Sequence, residues 1–181
     1  MKENKGRNGD YSDRIVTGMF SDRESAENAF NSLHERGYSN EDINLVMSDE
    51  TRKKHFAGEA GETEIGTKAM EGAGKGSAIG GAVGAIAGII AALGTSIAIP
   101  GLGLVIAGPL AAGLAGAGAG GVTGGLIGAL VGYGIPEARA KLYESGVKKG
   151  NIVMGVRPRN EEDARQIEKN WRENKGQEVF W

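Results

Sequence analysis

Two patterned flanks enclose a middle in which polar and apolar residues scarcely alternate at all. Arg14 to Phe20 (RIVTGMF) is short, β-branched and aromatic, which predicts a strand. Ser21 and Asp22 follow as helix N-cap candidates, with Glu24 at capping-box spacing from Ser21. Ala26, Ala29, Phe30 and Leu33 recur along one helical stripe, and Gly37 suits the position just past the helix end. Ile43 to Met47 (INLVM) reads as a second strand, completing a β-α-β unit. In the C-terminal flank, Pro136 and Glu137 open a helix that runs through Ala140, Tyr143 and Val147 and closes on Lys148, Lys149 and Gly150. Asn151 to Arg157 (NIVMGVR) is a strand, and Asn160 caps a helix whose buried stripe is Ala164, Ile167 and Trp171. Gly176 ends that helix, and Gln177 to Trp181 (QEVFW) is a last strand.

The two flanks repeat each other weakly. Ile15-Val16-Thr17-Gly18 matches Ile152-Val153-Met154-Gly155, and Ala26, Ala29 and Leu33 match Ala164, Ile167 and Trp171. Two β-α-β halves with their helices on one side of a four-stranded sheet predict an α+β, ferredoxin-like sandwich. A bulge or a close backbone approach would account for Gly18 and Gly155.

Between Lys75 and Glu137, 61 consecutive residues include no Asp, Glu, Lys, Arg or His. Glycine here falls on two four-residue ladders: Gly72, Gly76, Gly80, Gly84, Gly88, and Gly116, Gly120, Gly124, Gly128, Gly132. Residues four apart share a helix face, so each ladder is a groove along which two backbones can meet. The expectation is a glycine-zipper hairpin with helices near 72–94 and 109–133, Pro109 opening the second and Pro100-Gly101 turning between them. The two grooves are expected to face each other. Ile79, Val83, Ile86, Ile90, Leu126, Ile127 and Leu130 are left to point at lipid or a partner. The whole chain then divides into a disordered tail (1–12), the first half of the head (13–48), a polar linker (49–71), the hairpin (72–134) and the second half of the head (135–181).

Charge adds an orientation. Lys68 and Lys75 precede the first ladder, and Arg139 and Lys141 follow the second, which places both termini on the cytoplasmic side of the inner membrane if the hairpin enters it. Each predicted helix reaches roughly 35 Å, enough for a hydrocarbon core of about 30 Å. Gly and Ala drive insertion weakly, so the alternative is a cytoplasmic homo-oligomer with a shared apolar core. A net charge of −2 supplies no basic field for nucleic acid, and the absence of cysteine excludes disulfide and thiol chemistry.

No catalytic constellation emerges. His34 and His55 are isolated and assigned no metal, and Glu161, Glu162 and Asp163 read as first-turn residues favoured by the helix dipole. Gly116, Gly118 and Gly121 fit G-x-G-x-x-G without the preceding strand that a dinucleotide site needs, and Gly74-Lys75-Gly76-Ser77 breaks the P-loop pattern. Neither a cofactor nor a small-molecule substrate is expected.

From the IVTGMF strand with its SDRESAENAF helix start, through the glycine insert with IPGLG, to GIPEARAKLYESGVKKGNIVMGV, residues 13–181 resemble one bacterial family. Its members are general stress proteins with a heat-induced-stress (17M-like) domain, or low-temperature-induced proteins. The resemblance implies a stress-induced, non-enzymatic protein, often labelled a membrane protein, with no catalytic residues to carry over. The function expected is membrane association and self-assembly through the insert, with the protein itself and membrane lipid as partners.

Overall fold

The computed structural model describes residues 14–56, 86, 97–99, 103–116 and 125–181. The chain is α+β, with every pair of neighbouring strands antiparallel. In chain order the elements are β1 (Val16–Phe20), α1 (Arg23–Glu35), a 3₁₀ turn (Asn40–Asp42), β2 (Ile43–Ser48) and α2 (Asp49–Phe56). The insert supplies β3 (Ile97–Ile99), β4 (Leu104–Ala107), α3 (Pro109–Gly116) and α4 (Gly125–Gly132). Then come α5 (Glu137–Lys148), β5 (Ile152–Val156), α6 (Glu161–Glu173) and β6 (Gln177–Phe180).

The local signals of the flanks form with one change: Asp22, not Ser21 with Glu24, caps α1. Asp22 accepts from the Ser25 N–H at 2.8 Å and caps α1, and Asn160 accepts from the Asp163 N–H at 2.9 Å and caps α6. Gly37 sits just beyond α1 with φ +79°, a conformation that suits glycine. The strands order as β3-β4-β2-β5-β1-β6, so the four predicted strands lie side by side as β2-β5-β1-β6.

The sheet is larger than predicted and is covered on both faces. Ile43, Leu45 and Met47 of β2 enter one core with Val16, Phe20, Met154 and the stripe of α1 and α6. Val46 of the same strand enters a second core with Met19, Val153, Leu110, Leu126, Tyr143 and Val147. The first face is closed by α1, α2 and α6, and the second by α3, α4 and α5. Sheets buried on both faces read as continuous apolar runs, which is what INLVM and IVMGV are.

Five expectations change. The polar linker predicted from 49 begins instead as α2, whose Phe56 is fully buried and lies under the Arg23 guanidinium at 5.1 Å. The uncharged connection between the ladders supplies β3 and β4, which pair Ile97 with Ile106 and Ile99 with Leu104, while β4 pairs with β2. The helix predicted over 109–133 is two helices that pack on each other, with Gly125 at φ +58° starting the second. A single rod would hold Leu110 and Leu126 about 24 Å apart, yet both belong to one cluster. Ile86, Leu126 and Leu130 do not point at lipid or a partner, because each is buried within this chain. The repeat also shifts: α1 and α6 correspond as predicted, but Ile15 faces the second core and Ile152 the first, so the IVTG and IVMG matches are one residue out of register.

Gly18 owes its identity to close approach. A Cβ there would stand 2.9 Å from the Trp171 ring, which meets Phe20 edge-on at 5.7 Å, and the pairing of β1 with β6 shifts register across it. At Gly155 a Cβ would lie 3.1 Å from Ile15 Cδ1.

Candidate interaction face

On the second face of the sheet, α3 and α4 of the insert meet the head. β4 ends at Gly108, whose φ of +89° and position against β2 leave no room for a side chain: a Cβ there would collide with the Ile43 carbonyl. The residue ahead of Pro109 therefore cannot cap α3. The cap comes instead from the neighbouring strand, where Asn44 Oδ1 accepts from the Leu110 N–H at 2.6 Å. Asn44 is only 3% exposed, and its Nδ2 donates to Tyr133 Oη at 3.2 Å and to the Gly155 carbonyl at 3.3 Å. Every polar atom of this buried amide has a partner, as burial requires. A cavity of about 10 Å³ lies beside it, lined by Thr17, Val46, Leu110, Leu130 and Val153 among others.

α5 is tied down independently. The Tyr143 hydroxyl lies 2.8 Å from both Thr17 Oγ1 and the Glu178 carbonyl. A carbonyl only accepts, so the single Tyr143 proton goes to Glu178 and Thr17 donates to Tyr143. Burial raises the Tyr143 pKa above the usual phenol value, keeping it a neutral donor.

The outward surface of α4 carries no charged side chain. On α4, Gly128, Val131 and Gly132 are exposed, Val131 at 42%, and on α5 Leu142 is 47% exposed. No described atom lies within 4 Å of where a Cβ would stand on Gly128 or Gly132. Of the second ladder, Gly116 closes α3 and Gly128 and Gly132 lie on α4, while Gly120 and Gly124 fall outside the described residues. The first ladder (Gly72, Gly76, Gly80, Gly84, Gly88) also lies outside them. Ile86, which is helical and sits between Gly84 and Gly88, packs into the core on the opposite face of the sheet from α4.

The flanking cations are engaged within the chain. Arg139 lies 4.0 Å over the Phe180 ring and 3.7 Å from Glu178, and Lys141 pairs with Glu137 at 2.6 Å. Lys68 and Lys75 lie outside the described residues. Among the described residues no group of His, Asp and Glu could hold a metal ion, and no helix is long and apolar enough to cross a membrane.

Away from this face, Tyr38 joins the end of α1 to the start of α6. Its hydroxyl donates to Asp163 and accepts from the Arg159 N–H at 3.2 Å, while the Arg159 guanidinium stacks over its ring at 4.4 Å. The same guanidinium donates to the Arg36 and Gly37 carbonyls at 3.0 and 2.6 Å. It thereby satisfies carbonyls left unpaired at the end of α1. Asp163 also lies 3.7 Å from Arg36, so this carboxylate works as a structural partner.

Asn44 and Gly108 carried no signal of their own in the sequence. An Asn inside an apolar strand is a local oddity that asks for a buried partner, but the partner, a helix N-terminus 66 residues on, is visible only in the fold. Comparisons with protein-family models, with curated proteins and with solved structures find no match.

Proposed function

We propose that this chain is a non-enzymatic, self-associating protein of the stress response, with the glycine-rich insert as its contact surface. The stress setting rests on the family resemblance. The self-association rests on the outer face of α4. Glycine costs an exposed helix about 1 kcal/mol relative to alanine. Gly128 and Gly132 carry that cost with open space where their side chains would be. The first ladder does not answer them at Ile86, which lies beyond the sheet. A second copy presenting the same face is the partner of matching chemistry, and small-xxx-small helices associate by this kind of backbone approach. The head that carries the insert is a ferredoxin-like sandwich in this reading, supported by the order β2-β5-β1-β6 and the α1 and α6 pair.

The test is molar mass by light scattering without detergent. The wild type is expected to be oligomeric, and Gly128→Leu and Gly132→Leu to be smaller. No described atom lies within 4 Å of the Cβ either leucine would add, so both variants are expected to keep the fold and gain helix propensity, which circular dichroism checks. A monomeric wild type, or unchanged mass in both variants, overturns the reading.

A second reading, docking at the cytoplasmic membrane, draws on the uncharged stretch from Gly76 to Pro136 and the exposed Val131 and Leu142. Vesicle flotation separates the two: recovery of wild type with lipid, lost on Val131→Glu, favours lipid as the partner.

A further inference from the structure

We infer that the β6 edge of the sheet is held closed to a second copy of this chain, by Arg172 from one face and by Arg139 and Tyr143 from the other. The inference rests on the self-association proposed for the α4 face and adds what limits it. β6 is the last strand in the order β3-β4-β2-β5-β1-β6 and pairs with β1 at Thr17–Phe180 and Met19–Gln177. An outermost strand is a template for another, including the same strand of a second copy. Between the two paired positions, Glu178 and Val179 stand opposite Gly18 alone, and Glu178 is left-handed at φ +50°. The extra residue makes a bulge, which bends the strand and disrupts its ladder.

Both carbonyls of the bulge are taken by side chains. Arg172, in the last turn of α6, donates from Nη2 to the Val179 carbonyl at 3.1 Å. From the opposite face of the sheet, α5 supplies two donors to the Glu178 carbonyl: the Tyr143 hydroxyl at 2.8 Å and Arg139 Nη1 at 3.3 Å. Chain proximity accounts for Arg172 but not for Arg139, which reaches across 39 residues. Arg172 is also pinned. One Glu168 oxygen accepts from it at 2.6 Å, and the other accepts from the Trp181 indole N–H at 2.7 Å. Arg139 lies over the Phe180 ring at 4.0 Å. A strand laid along β6 would have to displace or bury both guanidinium charges. Charged side chains and bulges are the means by which sheet edges are kept from pairing. An open edge would give each protomer a second contact surface beside α4, and two surfaces can propagate into an open chain where one closes a pair.

The test combines Arg139→Ser and Arg172→Ser, which remove the charge and the reach without adding apolar surface. The full chain is measured by light scattering without detergent in the wild-type and Gly128→Leu backgrounds. In the Gly128→Leu background the double substitution is expected to raise the mass at least twofold. The Glu178 and Val179 amides are expected to gain at least tenfold protection in hydrogen exchange as protein concentration rises. In the wild-type background the mass is expected to climb with concentration past the wild-type value. Unchanged mass in both backgrounds overturns the inference, and so does a gain in mass without protection of β6. If the double variant loses its circular dichroism spectrum, Arg172→Ser alone is held to the same two measurements. Should Gly128→Leu by itself leave the mass unaltered, the α4 reading fails, while the edge is still judged by the added serines.

Discussion

Single residues in this chain are explained by what they touch. Tyr38 is buried, and burial together with the Asp163 carboxylate pushes its pKa up to about 12. The raised value means that the folded state holds the Tyr38 proton more tightly than the unfolded chain. The stability this represents is therefore complete below about pH 10 and is lost as pH rises from about 10 toward 12. Tyr38→Phe is expected to cost about 1–2 kcal/mol at neutral pH by removing the bonds to Asp163 and Arg159. It should also flatten part of the alkaline loss, and chemical denaturation at pH 7, 10 and 11 checks both effects. Gly18 illustrates the opposite case, a residue present because the Trp171 ring needs its space. Its glycine was legible in the sequence as a close approach, whereas the approaching residue, far along the chain, was not.

Elements follow their caps and their stripes. The sequence names Asn160 as the cap of α6 and Asp22 as one of two candidates for α1, because a cap acts on amides two or three positions away, and the structure selects Asp22 over Ser21. Asp22→Ala and Asn160→Ala are each expected to cost about 1 kcal/mol in urea denaturation. The two should diverge in acid. The Ser25 backbone N–H holds the Asp22 carboxyl below its ordinary range, so its cap stabilises above about pH 4 and is lost as pH falls through the lowered value. Asn160 has no such dependence, and denaturation at pH 3 and pH 7 distinguishes them. α2 was missed because its eight residues (DETRKKHF) are nearly all polar. Its place is decided by two residues, Thr51 and Phe56, that reach the interior. β3 and β4 carry no alternation of polar and apolar residues to mark them, so the strand state of β4 depends on pairing with β2 across more than fifty residues and that of β3 on pairing with β4.

At the scale of the whole molecule, a sheet covered on both faces places the insert's helices on one side and Ile86 on the other. Ile86, Leu126 and Leu130, which were expected to seek lipid, are thereby consumed inside the chain, while Ile79, Val83 and Ile90 lie outside the described residues. Among the described residues, Val131, Leu142 and the two open glycines of α4 stay outside. Val131→Glu and Leu142→Glu sit on this surface away from the cores, so each is expected to alter stability by no more than about 0.5 kcal/mol. Both are expected to lower the oligomeric mass in light scattering, since a carboxylate in an apolar contact must be desolvated. Unchanged mass in both variants would place the contact surface elsewhere.

The flanking strands, the helices α1, α5 and α6, and the cap of α6 were determined by the sequence alone, because each rests on residues within a turn or two of one another. The double covering of the sheet was not: helices were expected on one side only, and cores lie on both. Only the tertiary structure decided where the insert lies, that it extends the sheet, and that Asn44 caps a helix it does not adjoin. The physical reason is that a charge-free run of glycine and alanine distinguishes no face from another. Its conformation is therefore selected by the long-range surface it packs against and not by any local preference of its own.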